Sequence, residues 1–274
     1  MDSELASAPR PMLFLLLVTA MSLPFFVLGA FVDSVRVGAL ELPASAAMFL
    51  VPVLAAVFLV RRDEGRKAVW ALLRRAVDYS AAPQKVWYLV AAGVPVAAGI
   101  AAYGIARGLD AVGGGIPIAL AALPFVLIAT LFSATCEELG WTGYATDPLQ
   151  RRWGQVWAGI ALGIYWAVWH LVPLAQVGHG FWWISGWFAG TVSGRVLIVW
   201  LYNRTGRGIL AAILFHAMLN VTAIVTPDYG EPIVPILGGA LLTLAAVLAY
   251  VRRPLGERAA PSTTTLPMAD RPDQ

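Results

Sequence analysis

The sequence predicts an all-α integral membrane protein, a polytopic helical bundle with about eight transmembrane helices. Three properties of its 274 residues indicate this class: 59% are hydrophobic, only 13% are charged, and the mean hydropathy is +0.73. Soluble domains have about 45–50% apolar and about 25% charged residues. The composition therefore excludes a soluble enzyme and a disordered chain, and the single cysteine, Cys136, excludes an internal disulfide.

Eight apolar runs, separated by turn residues or charges, approach the ~20 residues that a membrane-spanning helix needs. In chain order they are Met12–Ala30, Leu42–Val60, Val86–Ala106, Ile116–Glu138, Trp157–Val177, Trp182–Tyr202, Ile209–Val225 and Ile233–Val251. Apolar residues at helical spacing predict an interfacial helix over 68–85. A proline- and threonine-rich composition predicts a disordered cytoplasmic tail over 254–274, after a single membrane domain over 1–253.

The distribution of basic residues predicts the orientation of these spans. Cytoplasmic loops carry the excess of arginine and lysine, and the run from Arg61 to Arg75 is the densest in the chain. If that run is cytoplasmic, both termini are cytoplasmic, and 16 of the 19 basic residues lie inside. Arg36 and Arg107 lie outside, and Arg195 lies within the sixth span. The preference for arginine over lysine favours a bacterial plasma membrane, and the positive charge needs no nucleic-acid partner to explain it.

Several polar residues interrupt these spans, and an ionisable residue inside a membrane indicates a functional site. They are Glu137 and Glu138 at the end of the fourth span, His170 in the fifth, and His216 and Asn220 in the seventh. His216 and Asn220 are four residues apart, so they share one helix face. Arg195 either snorkels to the inner interface or neutralises Glu138 and leaves Glu137 free to act as a base.

At these residues the sequence resembles the CPBP, or Abi, family of intramembrane endopeptidases, whose best-known branch is the type II CAAX prenyl protease. The family pattern is Glu-Glu-x-x-x-Arg, then an aromatic residue four positions before a histidine, then His-x-x-x-Asn/Ser. Residues Glu137–Tyr144 (EELGWTGY), Trp166–His170 and His216–Asn220 match it in order, within a similar region over about 121–225. Thr142 departs from it, because the family has arginine there, and Trp166 replaces the commoner phenylalanine.

The resemblance implies hydrolysis of a peptide bond in a membrane-associated peptide or protein by a glutamate-activated water, without a cofactor. Glu137 would take a proton from the water that His170 positions, while His216 and Asn220 would stabilise the oxyanion. Glu138 would orient these groups. We expect Glu137, His170 and His216 to converge, at a polar cavity that opens toward the arginine-rich side or laterally to lipid.

Other interpretations of the same residues stay open at this point. Glu137, His170 and His216 are also a ligand set for catalytic zinc. Because Thr142 replaces the family arginine, a non-catalytic scaffold or immunity-type relative is a second alternative. A proton-coupled transporter is a third, although it leaves the His-x-x-x-Asn motif unexplained.

Overall fold

The computed structural model describes residues 9–251, which are helical over most of their length. The helices are α1 (Pro11–Phe31), α2 (Val51–Asp63), α3 (Arg66–Arg74), α4 (Val86–Gly108), α5 (Leu123–Gly140), α6 (Asp147–Trp169), α7 (Leu171–Gln176), α8 (Phe181–Arg204), α9 (Ile209–Val225) and α10 (Ile233–Val251). Strands β1 (Val35–Val37) and β2 (Leu40–Leu42) form a hairpin. Short 3₁₀ helices cover Ala44–Leu50, Arg75–Val77 and Leu120–Ala122, and a π-helix covers Trp141–Thr146.

The helices have the length and surface of membrane spans. Among the described residues, six helical stretches are long and apolar enough to cross a membrane. One of them, 120–176, contains both the fourth and the fifth predicted span, and the seventh span, Ile209–Val225, forms a shorter apolar helix. Large apolar side chains such as Leu89 and Phe125 are exposed on the outside of the bundle, where they would contact lipid. The chain is therefore a polytopic helical membrane protein.

The boundaries of the fourth and fifth spans differ from the predictions Ile116–Glu138 and Trp157–Val177. The fourth begins at Leu123, with proline in its first turn, and continues past Glu138 through the π-helix. Non-helical Gly154, with φ of +77°, ends this segment before the fifth span. The fifth breaks at His170 because Pro173 lacks an N–H and its ring clashes with the carbonyl four residues earlier.

The second span and the interfacial helix compare differently with their predictions. The second span, predicted over Leu42–Val60, corresponds to the apolar helical stretch Ala44–Asp63, in which a 3₁₀ helix over Ala44–Leu50 precedes α2. The predicted interfacial helix over 68–85 is shorter, since helical structure ends at Val77. The predicted tail over 254–274 lies outside the described residues, and the single domain over 1–253 stays a prediction.

The bundle has two chemically different ends. We call the end with α3 and the loops over 75–85 and 205–208 the arginine-rich end. The opposite end, called the hairpin end, carries β1–β2 and the loops over 109–119, 177–180 and 226–232. Contacts hold the hairpin end together: the Ala39 amide donates to the Ile224 carbonyl, and Asp228 accepts from the Gly113 and Gly114 amides.

Glycines bring α6 and α8 into close contact. A Cβ on Gly159 would lie 3.0 Å from the Val196 Cα, and one on Gly163 would lie 3.1 Å from the Arg195 Cβ. Small residues of this kind let transmembrane helices approach closely. The approach places the Arg195 side chain beside α6 and the end of α5, where the conspicuous polar residues lie.

Candidate active site

The end of α5 holds two buried carboxylates near the middle of the bundle. Glu137 is 4% exposed and Glu138 is fully buried. Glu137 lies 14 residues after Leu123, which is about 21 Å along the helix. The π-helix continues the same segment directly after them, and π-helical turns occur frequently at functional sites.

Every side-chain oxygen of Glu138 has hydrogen-bond donors around it. Arg195 Nη1 donates to Oε2 at 2.7 Å and Nη2 donates to Oε1 at 2.9 Å, which is the bidentate geometry of a guanidinium on a carboxylate. The Thr142 hydroxyl also donates to Oε2, and His216 Nδ1 lies 2.9 Å from Oε1. Arg195 is itself fully buried. The structure therefore contains the neutralising contact, and Arg195 does not snorkel.

Glu137 uses its two oxygens differently. Its Oε2 accepts from two indole N–H groups, Trp166 Nε1 at 2.8 Å and Trp141 Nε1 at 3.1 Å. Its Oε1 lies 3.9 Å from His216 Nε2, which is too long for a direct hydrogen bond. One oxygen is thus fixed by the protein, while the other faces an imidazole without bonding to it.

His170 occupies the break between α6 and α7, and its tautomer follows from its partner. Its Nδ1 lies 2.8 Å from the carbonyl oxygen of Trp166. Because a carbonyl only accepts, Nδ1 carries the proton, and Nε2 of the neutral ring is an acceptor. The rings of Trp166, Trp169 and Trp187 surround the imidazole, with centroid distances of 5.8, 4.8 and 5.4 Å.

His216 is oriented in a comparable way from α9. Its Nδ1 faces the ionised carboxylate of Glu138, so Nδ1 is the donor and Nε2 points toward Glu137. Asn220 lies one helical turn further along α9 and is half-buried. Within residues 9–251 its side chain has no hydrogen-bond partner, which leaves its amide available to a ligand.

A cavity of about 730 Å³ joins these groups. Glu137, His170, His216 and Asn220 all contribute to its wall. The lining then extends to the exposed residues Asp33, Val35 and Glu41 at the hairpin end. The structure therefore brings the four predicted catalytic residues to one cavity.

The location of this cavity corrects the expectation of a polar opening toward the arginine-rich side. Its wall is mostly apolar and extends to the opposite end of the bundle. Toward the arginine-rich end, the interior is filled by buried side chains such as Trp141, Ile209 and Ile213. This part of the expectation was wrong because it placed Glu138 at the inner end of a helix that in fact continues past it. The alternative of a lateral opening to lipid stays a prediction.

The zinc alternative receives no support from the arrangement of ligands. In the described part of the chain, no group of three or more His, Cys, Asp or Glu side chains is placed to hold a metal ion. Of the three proposed ligands, Glu137 Oε1 and His216 Nε2 lie 3.9 Å apart. We derive no step through a metal, and the absence of a cofactor stays a prediction.

Sequence reasoning missed the two indoles that bind Glu137. Trp141 follows Glu137 by four residues, so helical periodicity predicts that the two side chains are close to each other. Trp166 is 29 residues away on another helix, and only the packing of α5 against α6 brings it to the carboxylate. Thr142 was noted for the arginine it replaces, yet it donates directly to Glu138.

Comparison with known proteins agrees with this geometry. Residues 119–222 match the family model described as type II CAAX prenyl endopeptidase Rce1-like. The chain is also 30% identical over 142 residues to CAAX prenyl protease 2 of Methanococcus maripaludis, an alignment that covers 48% of this chain and 52% of the relative. The matched part thus spans about half the length of that relative. The residues that the family model matches include all the site residues described above, and in this region the chain is similar to the CAAX prenyl proteases.

Proposed function

We propose that the protein is an intramembrane endopeptidase that hydrolyses a peptide bond of a membrane-associated substrate with a water activated by Glu137. The observation that carries the proposal is the asymmetry of the carboxylate pair. Both oxygens of Glu138 are hydrogen-bonded to Arg195, and Oε1 also contacts His216. Glu137, in contrast, has no hydrogen bond at Oε1, which lies at the cavity wall. A general base needs such an oxygen within reach of water.

The groups around Oε1 suggest how the water is held. Neutral His170 presents Nε2 as an acceptor, and Glu137 Oε1 is a second acceptor on the same cavity. A water molecule has two protons to donate, so one water satisfies both groups. Attack on a peptide carbonyl then transfers one of these protons to Glu137, which passes it to the leaving amine.

Stabilisation of the oxyanion falls to α9. The Asn220 amide donates directly, while His216 donates from Nε2 only when both ring nitrogens are protonated. Glu138 holds this ring in place, since His216 Nδ1 lies 2.9 Å from its Oε1.

Arg195 bears on the alternative of a non-catalytic relative. That alternative depended on Thr142 in place of the family arginine. The guanidinium of Arg195, on α8, forms an ion pair with Glu138. The site therefore has a cation although the Glu-Glu motif lacks its arginine. The substrate class, the cytoplasmic position of both termini and the bacterial plasma membrane remain part of the proposal.

The test is hydrolysis by purified protein reconstituted in liposomes. The probe is a mixture of lipid-anchored and transmembrane peptides, with products identified by mass spectrometry. We expect cleavage by the wild type and a loss of about 10²–10⁴-fold in Glu137→Gln, the usual contribution of a general base. Glu64→Gln, which removes an exposed carboxylate at the arginine-rich end, is the matched control. Absence of cleavage by the wild type, or equal cleavage by Glu137→Gln, contradicts the proposal.

A further inference from the structure

Trp166 contacts four ionisable residues of the site. Its Nε1 donates to Glu137 Oε2 at 2.8 Å, and its carbonyl accepts from His170 Nδ1. The guanidinium of Arg195 lies over its ring at 4.3 Å from the centroid, and the ring of His216 packs edge-on at 4.8 Å. The side chain is 5% exposed, so these contacts are shielded from competing water.

Glu137 accepts its hydrogen bonds from neutral donors. Two adjacent carboxylates share this buried region, and both terminal nitrogens of the Arg195 guanidinium bond to Glu138. His216 Nε2 lies 3.9 Å from Glu137 Oε1, which is too long for a hydrogen bond. A general base has to be ionised, so something other than Arg195 has to stabilise this carboxylate.

We infer that Trp166 is a positioning residue for Glu137: its indole N–H stabilises the ionised carboxylate and leaves Oε1 as the oxygen that reacts. Donors to the charged form of a carboxylate favour that form. Trp166, assisted by Trp141, supplies two such donors to Oε2. These two hydrogen bonds to Oε2 favour the orientation in which Oε1 lies on the His216 side. The inference rests on the proposed function in one respect, namely that Glu137 must be ionised to work.

The decisive variant is Trp166→Phe, which removes the N–H and keeps an aromatic ring for Arg195 and His216. Trp183→Phe is the matched control, because Trp183 is also buried and its Nε1 donates to the Tyr229 carbonyl at 2.8 Å instead. Both substitutions cost one buried indole hydrogen bond. Only Trp166→Phe removes a hydrogen bond that Glu137 accepts.

The readout is the pH dependence of labelling by dicyclohexylcarbodiimide, an apolar reagent that modifies protonated carboxyl groups. The acid proton moves to a carbodiimide nitrogen, and the carboxyl oxygen bonds to the central carbon. The resulting O-acylisourea then rearranges to a stable N-acylurea. Mass spectrometry of peptides containing residue 137 follows the reaction. Hydrogen bonds to charged groups have a net strength that corresponds to about 1–2 pH units. We therefore expect Trp166→Phe to move the labelling midpoint upward by that amount and Trp183→Phe to leave it unchanged.

Trp141→Phe provides a second variant in case Trp166→Phe does not fold. It removes the other donor to Oε2, at 3.1 Å, and we expect an upward shift in the same direction. The inference is overturned if folded Trp166→Phe has the wild-type midpoint, or if Trp166→Phe fails to fold and Trp141→Phe shows no shift. Because labelling requires no hydrolysis, a shifted midpoint in a protein without peptidase activity would contradict the proposed function alone.

Discussion

Removal of the buried cation at residue 195 should destabilise the fold severely. Arg195 and Glu138 are each fully buried and joined by two hydrogen bonds of 2.7 and 2.9 Å. Arg195→Met leaves the carboxylate without its charge partner, and breaking one side of a buried pair costs about 3–5 kcal/mol. Arg204→Met is the control, since Arg204 lies on the same helix and contacts Trp200 at 5.6 Å, a cation–π contact of about 0.5–1 kcal/mol.

The free energy of unfolding can be measured by titrating SDS into mixed micelles and following helical content by circular dichroism. The double variant Arg195→Met/Glu138→Gln should recover part of the loss, because it removes the unpaired charge together with its partner. If Arg195→Met costs no more than Arg204→Met, or if the double variant is less stable than the sum of both singles, the ion pair does not hold this site together.

Three further predictions concern the cavity and its chemistry. Asn220→Ala should lower kcat by about 10²–10³-fold with little change in KM, as expected for loss of one oxyanion donor; an equal rise in KM would instead indicate substrate binding. In a Cys136→Ser background, membrane-impermeant maleimide should label Glu41→Cys from the non-cytoplasmic side and Arg151→Cys from the cytoplasmic side, and the opposite result would reverse the orientation. Peptidase activity should persist after treatment with a chelator, with less than one equivalent of metal per chain, whereas loss of activity that zinc restores would favour the zinc alternative.

Much of the site could be predicted because its parts are local sequence patterns. The four-residue spacing of His216 and Asn220 places them on one helix face in any helix. The contact of Arg195 with Glu138 was one of two interpretations that the sequence left open, and it was proposed because a buried arginine and a buried carboxylate both need partners. The composition likewise predicted a polytopic helical bundle, and its candidate membrane helices carry the site.

The features that were missed depend on where helices break and cross. Pro173 predicts that the fifth span breaks, but only the structure places the break at His170. The hairpin around Gly38 has strands of only three residues, which are too short for a periodic signal. The Trp166 bond to Glu137 depends on how α5 and α6 pack, which no local pattern specifies. An opening at the arginine-rich end was expected because α5 was expected to end at Glu138, whereas the cavity lining extends to the hairpin end.

The central claim is that Glu137 activates water and does not attack the peptide itself. Single-turnover hydrolysis with excess protein in H₂¹⁸O distinguishes the two directly. We predict that the new carboxyl terminus of the product contains one ¹⁸O atom and that Glu137 contains none. A product without ¹⁸O, together with ¹⁸O in the Glu137 carboxylate, would show a covalent acyl intermediate on Glu137 and contradict the mechanism.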